Sequence, residues 1–579
     1  MGIVNDYIQK VVNFFKHGKT PYYEKAWHQY YGTIPQHLNY PDDSIYDRLA
    51  DTASEHADRI AYRYFGTECT YKKFLKKISQ ITDALTQFDI IENECITVCL
   101  PNTPESFALI YAINKIGAIA NIVHPLSSTA DIKRALKEAD SQILFCSDVS
   151  IPKAKNIKVK HFILVPTNHS FRGLLKILYG LKNYANLRIR DNIITWNDFL
   201  SCAKYQNVYT HRTGNDPAVI IYSGGTTGKP KGIIISNRNF NAMALQTKKV
   251  CSEIKPGRVL LSYLPIFHVF GFAVCCHTGL TNAMTCVIMP RINTKKINKE
   301  FNKHKPDIIP AIPSILRLSL KDKNIHRRTF KNVKVVVVGG DYLPSELKIA
   351  FEDFLHHHGT KAIIKVGYGL SETTGFCCST APLDEIDVVD STIGIPNPDM
   401  DIKICIPNTT TEQPINEIGE ICVSGPTVML GYINEDKETK KTLKQHADQK
   451  TWLHTGDLGY MDNTGRLFYS SRLKRMIIAN GYNIYPIELE SIINRCKYVA
   501  SCIVVGIPHP TKGQTPKAVI VLKEDYKETT FIRNAIRQYC RDNLATYAVP
   551  TEFEYRKNLP VTAVGKVAFK ELEKHSRKK

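Results

Sequence analysis

The chain has 579 residues, 43% hydrophobic and 23% charged, an ordinary globular composition that excludes disordered, collagenous and low-complexity classes for most of its length. Lys and Arg number 76 against 55 Asp and Glu, a formal net charge of +21, which reads first as a solvated Lys-rich surface and, functionally, as suited to anionic ligands or an anionic membrane surface. No zinc-finger spacing and no RNP-like aromatic motif accompanies that charge, which makes nucleic acid the weakest of the partners it suggests.

In chain order, Val4, Ile8, Val11, Val12 and Phe15 recur at helical spacing beside Lys10 and Lys16. This amphipathic pattern suits either a helix docked on its own domain or one lying on an anionic bilayer. It lacks the uncharged core of a secretory signal, and Asp6 stands where a myristoylation signal needs Ser or Thr. Apolar runs predict strands at 95–100, 118–123, 142–146 and 161–165, with a helix at 104–116. Between Phe171 and Arg190, Leu174, Leu175, Ile177, Leu178 and Leu181 mix with Arg172, Lys176, Lys182, Arg188 and Arg190, a second amphipathic stretch with the same two readings. A strand at 218–222 runs into a Gly-rich loop, and a helix follows at 239–250.

From Val259 to Met289 no formally charged residue occurs, but Pro265, His268, Gly271, His277 and Asn282 interrupt the run. A lipid-exposed helix would have to satisfy those groups, so the stretch predicts a buried strand, loop, helix and strand. A strand at 333–338 ends in Gly339-Gly340, and a helix at 345–356 ends in His356–His358, a solvated helix end without metal-ligand geometry. From Asp401 the texture changes to short strands, at 401–406, 419–423 and 467–469, and the tail after Ser471 alternates strand and helix. The expected fold is α/β: a large N-terminal domain, 1–471, with parallel-rich sheets and a small β-rich subdomain, then a smaller mobile α+β C-terminal lid, 472–579. The sixteen cysteines show no CxxC pair and read as buried thiols of a reducing compartment.

The strongest motif is YSGGTTGKPKG, Tyr222 to Gly232. Gly224, Gly225 and Gly228 permit close backbone approach, Ser223, Thr226 and Thr227 supply hydroxyls, and Lys229 and Lys231 supply charge, a composition that suits a polyphosphate. It is not a Walker A loop, because Ser223 stands where the first Gly belongs and Pro230 follows the Lys.

This segment resembles the phosphate loop of the adenylate-forming (AMP-binding) superfamily, and four further matches follow in that family's order. The resemblance implies that Ser223, Gly224, Thr226, Thr227, Gly228 and Lys231 bind ATP. In VGYGLSE it implies nucleotide contacts from Tyr368, Gly369 and Ser371, the last replacing the commoner Thr, and Mg2+ binding by Glu372. A carboxylate beside a polyphosphate makes sense only with such a bridging cation. Gly340, Asp341 and Tyr342 would lie along the adenine, although Asp341 departs from the small residue common there. Asp457 of the TGD triplet would accept the ribose hydroxyls, and Arg472 would reach ribose and phosphate.

Lys474 falls at the family's hinge position, followed by Arg475 where an acidic residue is usual. Lys566 matches the lysine that the lid delivers to the α-phosphate, and Gly481 and Tyr482 belong to the segment facing the pantetheine arm. PIFHVFGF, 265–272, resembles the acyl-pocket segment, with His268 near the carboxylate or thiol route; the alternative is a core histidine. With Thr374, Gly375 and Phe376 it implies an apolar acyl group. The resemblance to fatty-acyl-CoA synthetases thus implies an ATP-dependent acid–thiol ligase that uses ATP, Mg2+ and coenzyme A on a fatty acid, ahead of an aryl-acid ligase or a carrier-loading enzyme. It implies a cytoplasmic protein and small-molecule partners, with peripheral contact at the inner membrane face as an additional expectation.

Overall fold

The computed structural model describes residues 25–183, 193–223, 230–383, 391–479, 482–509, 513–560, 569 and 571–572. Among these the strands form three sheets. An eight-stranded sheet runs in the order Gly431–Tyr432, Gly232–Ser236, Pro217–Tyr222, Ile119–Ile122, Cys95–Cys99, Ile143–Ser147, His161–Val165, Ile194–Thr195. Its members from Pro217–Tyr222 onward are parallel, and they read as continuous apolar runs because helices cover both of their faces.

The second sheet has fourteen strands. Its parallel part passes from Ile60–Tyr64 through Thr285–Ile288, Val259–Ser262, Ile308–Ala311 and Val335–Val338 to Ile363–Tyr368. Beyond Ile363–Tyr368 it turns antiparallel through Cys378–Ser379, Thr392–Pro396, Leu467–Arg472, Thr451–Met461, Gly419–Ser424 and Asp401–Cys405, the β-rich part expected from the sequence. A third sheet of five strands, Tyr482–Ile484, Ile477–Ala479, Gly513–Leu522, Val499–His509 and Glu552–Tyr555, packs helices Pro486–Asn494 and Thr530–Asn543 around its own apolar core. The molecule therefore has a large mixed α/β N-terminal domain and a small C-terminal one.

Local chemistry explains the helix starts. Thr103 and Ser106 form a capping box, with Pro104 in the first turn, on the helix Pro104–Lys115, which is buried along its whole length. Ser236 and Asn239 do the same for Asn237–Val250. The uncharged run folds as foreseen: the strand Val259–Ser262, a loop, a π-helix Phe270–Thr278 continued by Gly279–Thr281, and the strand Thr285–Ile288, all inside the protein. Gly271 is required there, since a Cβ would sit 2.0 Å from the Pro265 carbonyl oxygen. No helix among the described residues is long and apolar enough to cross a membrane. All sixteen cysteines are free thiols, and only Cys95 and Cys202 are not buried.

Two expectations need amendment. A strand, Gly232–Ser236, turns back antiparallel on Pro217–Tyr222 straight after the Gly-rich loop, so the following helix starts at Asn237. The amphipathic stretch after Phe171 forms the helix Leu174–Lys182, but its leucines face solvent rather than its own domain. Residues 4–16, and with them the first amphipathic pattern, lie outside the described residues, as do Arg188 and Arg190.

Candidate active site

The parallel strands Val335–Val338 and Ile363–Tyr368 end side by side, with Val338 opposite Val366. The carboxyl ends of parallel strands are where open α/β sheets gather ligand-binding loops. From the first strand emerge Gly339, Gly340 in the left-handed region at φ +80°, exposed Asp341 and half-buried Tyr342. Asp341 Oδ1 accepts the Tyr342 N–H at 2.9 Å, so this acidic departure fixes its own turn.

The second strand runs into a turn that only glycine permits. A Cβ on Gly369 would lie 2.1 Å from the Gly375 carbonyl oxygen and 2.7 Å from the Phe376 Cα. Thr373 Oγ1 accepts the Leu370 N–H at 3.0 Å and closes the 3-10 turn Ser371–Thr373, which presents Glu372. Glu372 is held from the β-rich side: its carbonyl accepts the Met429 N–H at 2.9 Å, and Tyr432 donates its hydroxyl to Oε1 at 2.9 Å. Burial first, then the Glu372 charge, pushes the Tyr432 phenol well up, so it stays a donor.

Tyr432 reaches this place because Gly431–Tyr432 pairs with Ile233 and Ile234 beyond the phosphate-loop hairpin. At the base of that hairpin the Ser223 N–H donates to the Lys231 carbonyl at 2.9 Å, and the Lys231 N–H to Ser223 Oγ at 3.2 Å. Gly224, Thr226, Thr227 and Gly228 lie outside the described residues. The Lys231 ammonium stands 4.8 Å from the Tyr432 ring centroid and 2.6 Å from Glu438 Oε1. Its hydrogen bond is the main force holding the Glu438 carboxyl below the usual range; burial opposes it, and Lys441 and Lys474 add to it. Lys474, in the turn Leu473–Arg475, thus lies in the field of the same carboxylate.

The TGD triplet sits on the hairpin of Thr451–Met461 and Leu467–Arg472, where Asp457 and Arg472 are direct cross-strand partners. Asp457, buried at 2% exposure, forms an ion pair with Arg472 Nε at 2.6 Å through Oδ1 and accepts the Tyr368 hydroxyl at 3.0 Å on Oδ2. The Asp457 charge raises the Arg472 pKa, and burial followed by that charge raises the Tyr368 phenol. Three sequence-predicted residues therefore form one charge-assisted unit, with Tyr469 beside it, its ring centroid 6.2 Å from that of Tyr368.

Behind this unit Glu420 Oε1 accepts the Gly456 N–H at 3.0 Å and Oε2 meets His454 Nδ1 at 2.8 Å; His454 Nε2 lies 3.0 Å from His446 Nε2. Glu420, Cys422 and His454 are close enough to grip a cation, but their polar atoms are spent on one another and on the backbone of the ribose turn. The cluster is a buttress for Gly456, whose φ is +68°.

Beside Gly367 a narrow cavity of about 20 Å³ is lined mainly by apolar residues, among them Val250, Ile254, Leu260, Val274, Val337 and Phe376, together with Thr247, Lys365 and Ser379. Phe376 packs against Gly367, one residue before Tyr368. His268 is half-buried ahead of the π-helix, its N–H bonded to the Pro265 carbonyl at 3.0 Å. The core histidine of this segment is His277 instead, fully buried between Tyr111 (3.1 Å) and Asn241 (3.0 Å), its pKa pulled down to about 3, mainly by burial.

Lys566 and Gly481 lie outside the described residues, and Tyr482 opens the strand Tyr482–Ile484. Arg475, unexpected at its position, is committed to the C-terminal domain: it pairs with Glu490 at 2.6 Å, donates to the Val504 carbonyl at 3.3 Å and stacks 3.7 Å from the Phe569 ring centroid. The site also recruits Tyr432, Glu438, Tyr469 and Glu420, which motif reading missed. Only Tyr432, in a Gly-Tyr pair ahead of a helix rich in charge, carried any local signal.

A profile of the AMP-binding enzyme family matches residues 49–433, and one of the AMP-binding enzyme C-terminal domain matches 488–566. A long-chain-fatty-acid–CoA ligase of Bacillus subtilis is 30% identical over 566 residues, covering 95% of this chain and 98% of the relative. One from Haemophilus influenzae is 28% identical, covering 94% and 97%. Among solved structures, ATP-bound MatB from Rhodopseudomonas palustris superposes with a TM-score of 0.80 at 21% identity, covering 92% of this chain and 99% of that one. An anthranilate CoA ligase in complex with anthranoyl-AMP gives 0.80 at 20% identity, covering 93% and 98%.

Proposed function

The chain belongs to the AMP-binding enzyme family, as an AMP-forming CoA ligase, and on that premise we propose that its acid is a medium- to long-chain fatty acid. A carboxylate acylates poorly because its leaving group would be oxide. Its oxygen attacks the α-phosphorus of ATP and pyrophosphate leaves, giving an acyl-AMP mixed anhydride. The thiol sulfur of coenzyme A then attacks the acyl carbon, AMP leaves, and the thioester remains.

In this reading Asp457 takes the ribose hydroxyls on the lone pairs left over from Arg472 and Tyr368, since a carboxylate offers about four acceptor sites. Ser223, Gly224, Thr226, Thr227, Gly228 and Lys231 surround the phosphates, Lys231 leaving Glu438 to do so. Gly340, Asp341 and Tyr342 flank the adenine, beside Gly369 and Ser371. Glu372, a half-buried carboxylate steered by Tyr432, is the kind of single oxygen donor that Mg2+ accepts while keeping most of its waters. The ion would neutralise phosphate charge.

The remaining assignments are of the same kind. His268 stands on the acyl or thiol route. The C-terminal domain, 472–579, swings about Lys474 as a lid over 1–471; it brings Lys566 to the α-phosphate in one position and Gly481 and Tyr482 to the pantetheine arm in the other. Its separate apolar core, beginning at Ile477, supports that division. The free, buried thiols support a reducing, cytoplasmic setting.

The fatty-acid assignment is supported by the cavity beside Gly367 and Phe376, whose lining is mainly aliphatic, with Thr247, Lys365 and Ser379 as its polar members. The relatives named long-chain-fatty-acid–CoA ligases support it. Pyrophosphate release across fatty, benzoic and cinnamic acids, with and without coenzyme A, tests it. Turnover with fatty acids and coenzyme A is expected; turnover with aryl acids alone overturns the substrate, and adenylate that only a carrier protein discharges overturns the acceptor. Lys566→Ala should abolish adenylate formation yet spare thioester formation from preformed acyl-AMP, and equal loss of both contradicts the lid assignment.

A further inference from the structure

The helix Leu174–Lys182 inverts the usual rule for a surface helix. Tyr179 is its anchor: the hydroxyl donates to Asp148 Oδ2 at 2.8 Å and the ring meets Phe171 edge-on at 5.4 Å. Asn168 Nδ2 donates to the Lys176 carbonyl at 3.0 Å and holds the same side. Leu174, Ile177, Leu178 and Leu181, at the i, i+3, i+4, i+7 spacing of one helical stripe, lie on the side opposite Tyr179. Their exposures are 68%, 61%, 52% and 70%, and Leu175 adds 53%. No other described helix presents so many large apolar side chains to solvent. On the anchor side, Phe65 is 39% exposed, with its ring 4.4 Å from that of Phe171.

The rim of the patch is basic. Arg172 and Lys176 are exposed, and Lys176 Nζ bonds the His169 carbonyl at 3.1 Å. Lys77 also lies in the field of His169, and its helix Tyr71–Leu85 carries exposed Lys72, Lys73 and Lys76. The acidic groups at this corner are neutralised or enclosed. Asp148 is buried under Thr167 and Tyr179, Glu105 is buried against Ser170, and Glu68 pairs with Arg63 at 2.9 Å.

We propose that the helix Leu174–Lys182 is the surface by which this protein docks on an anionic lipid bilayer. Leucine and isoleucine side chains standing above a ring of ammonium and guanidinium groups match the layering of such a bilayer, with acyl chains beneath acidic headgroups. A convex stripe of aliphatic side chains offers a protein partner no groove and no polar register. The docking does not depend on which acid is activated; for a fatty acid it places the enzyme where that substrate dissolves.

The test is flotation of the full chain with phosphatidylglycerol-rich vesicles at low salt. The wild type should float, and Leu174→Asp/Ile177→Asp/Leu181→Asp should bind at least about tenfold more weakly, because aliphatic burial drives the insertion. Arg172→Glu/Lys176→Glu should lose binding and its salt sensitivity. Unchanged adenylation activity and thermal midpoint show that both variants fold. Wild type that stays with the protein fraction, a triple variant that floats like wild type, or equal binding to pure phosphatidylcholine overturns the proposal. So does a concentration-dependent dimer that the triple variant abolishes, which would make the stripe an interface between two copies.

Discussion

Asp457→Asn replaces a carboxylate by a nearly isosteric amide at the centre of the proposed nucleotide site. Asp457 is buried, and its oxygens take Arg472 at 2.6 Å and Tyr368 at 3.0 Å. Breaking a wholly buried pair costs about 3–5 kcal/mol, but Arg472 remains 44% exposed, and water relieves the stranded guanidinium, leaving about 1–2 kcal/mol of lost stability. The effect on ATP is larger in kind. A hydrogen bond to a charged group is worth about 1.5–3 kcal/mol against about 1 for a neutral one, so two ribose contacts weaken by about 2 kcal/mol together. That is about a 30-fold rise in KM for ATP, with kcat little changed if the contacts are equal in ground and transition states. Pyrophosphate release over an ATP titration reads both constants, and a thermal melt reads stability. Tyr368→Phe leaves the carboxylate charged and should raise KM by less than about tenfold. An Asn variant whose KM stays put while kcat collapses would refute the ribose assignment.

Three further outcomes follow from backbone and core. Gly369→Ala forces a Cβ against the Gly375 carbonyl, so the Glu372 turn must shift, costing about 1–3 kcal/mol and most of the adenylation rate. Gly456→Ala meets nothing within 4 Å and should cost only its left-handed backbone, about 1 kcal/mol; equal effects in melts and activity would contradict the packing argument. His277 binds its proton near 6.5 when unfolded but only near 3 when folded, so the unfolded state holds more protons in between. Stability is therefore full above about pH 6.5 and falls on acidification, by about 2 kcal/mol at pH 5 from this residue alone. His277→Gln should flatten the pH dependence of the urea midpoint across that window, and parallel profiles would rule His277 out as its source.

The sequence announced the parallel strands because both faces of each are covered: runs such as ILFCS at Ile143–Ser147 are apolar throughout and need no partner to be recognised. It offered Asp457, Arg472 and Glu372 through resemblance to short family motifs, and the structure brings the first two together as cross-strand partners. What it concealed are contacts with no local period. Gly431–Tyr432 is a two-residue strand, too short for alternation to register, yet its pairing with Ile233 and Ile234 delivers Tyr432 to Glu372. Glu420 looked like one more strand residue, and its task of holding the Gly456 N–H depends on register across the sheet. The amphipathic helix after Phe171 was visible as a stripe; which way the stripe faces is decided by one hydroxyl, that of Tyr179, finding Asp148.

The path of the chain through residues 472–475 fits the proposal that one covalent strand serves both a fixed nucleotide site and a moving lid. Arg472 belongs to the large sheet, paired in register with Asp457 and ion-paired to it at 2.6 Å. Arg475, three positions on, belongs to the small domain through Glu490, Val504 and Phe569. Rotation between two bodies each gripped by an arginine has only the backbone of Leu473 and Lys474 in which to be absorbed, which supports the hinge proposed at Lys474. The basic residue at position 475 then has a physical use. An acidic side chain there would face Glu490, whose carboxyl burial already pushes up and Arg475 restrains, so the buried glutamate and the guanidinium are a matched pair that fastens this end of the proposed hinge to the C-terminal domain. Phe569, three residues after Lys566 in the sequence, closes the far side of that guanidinium.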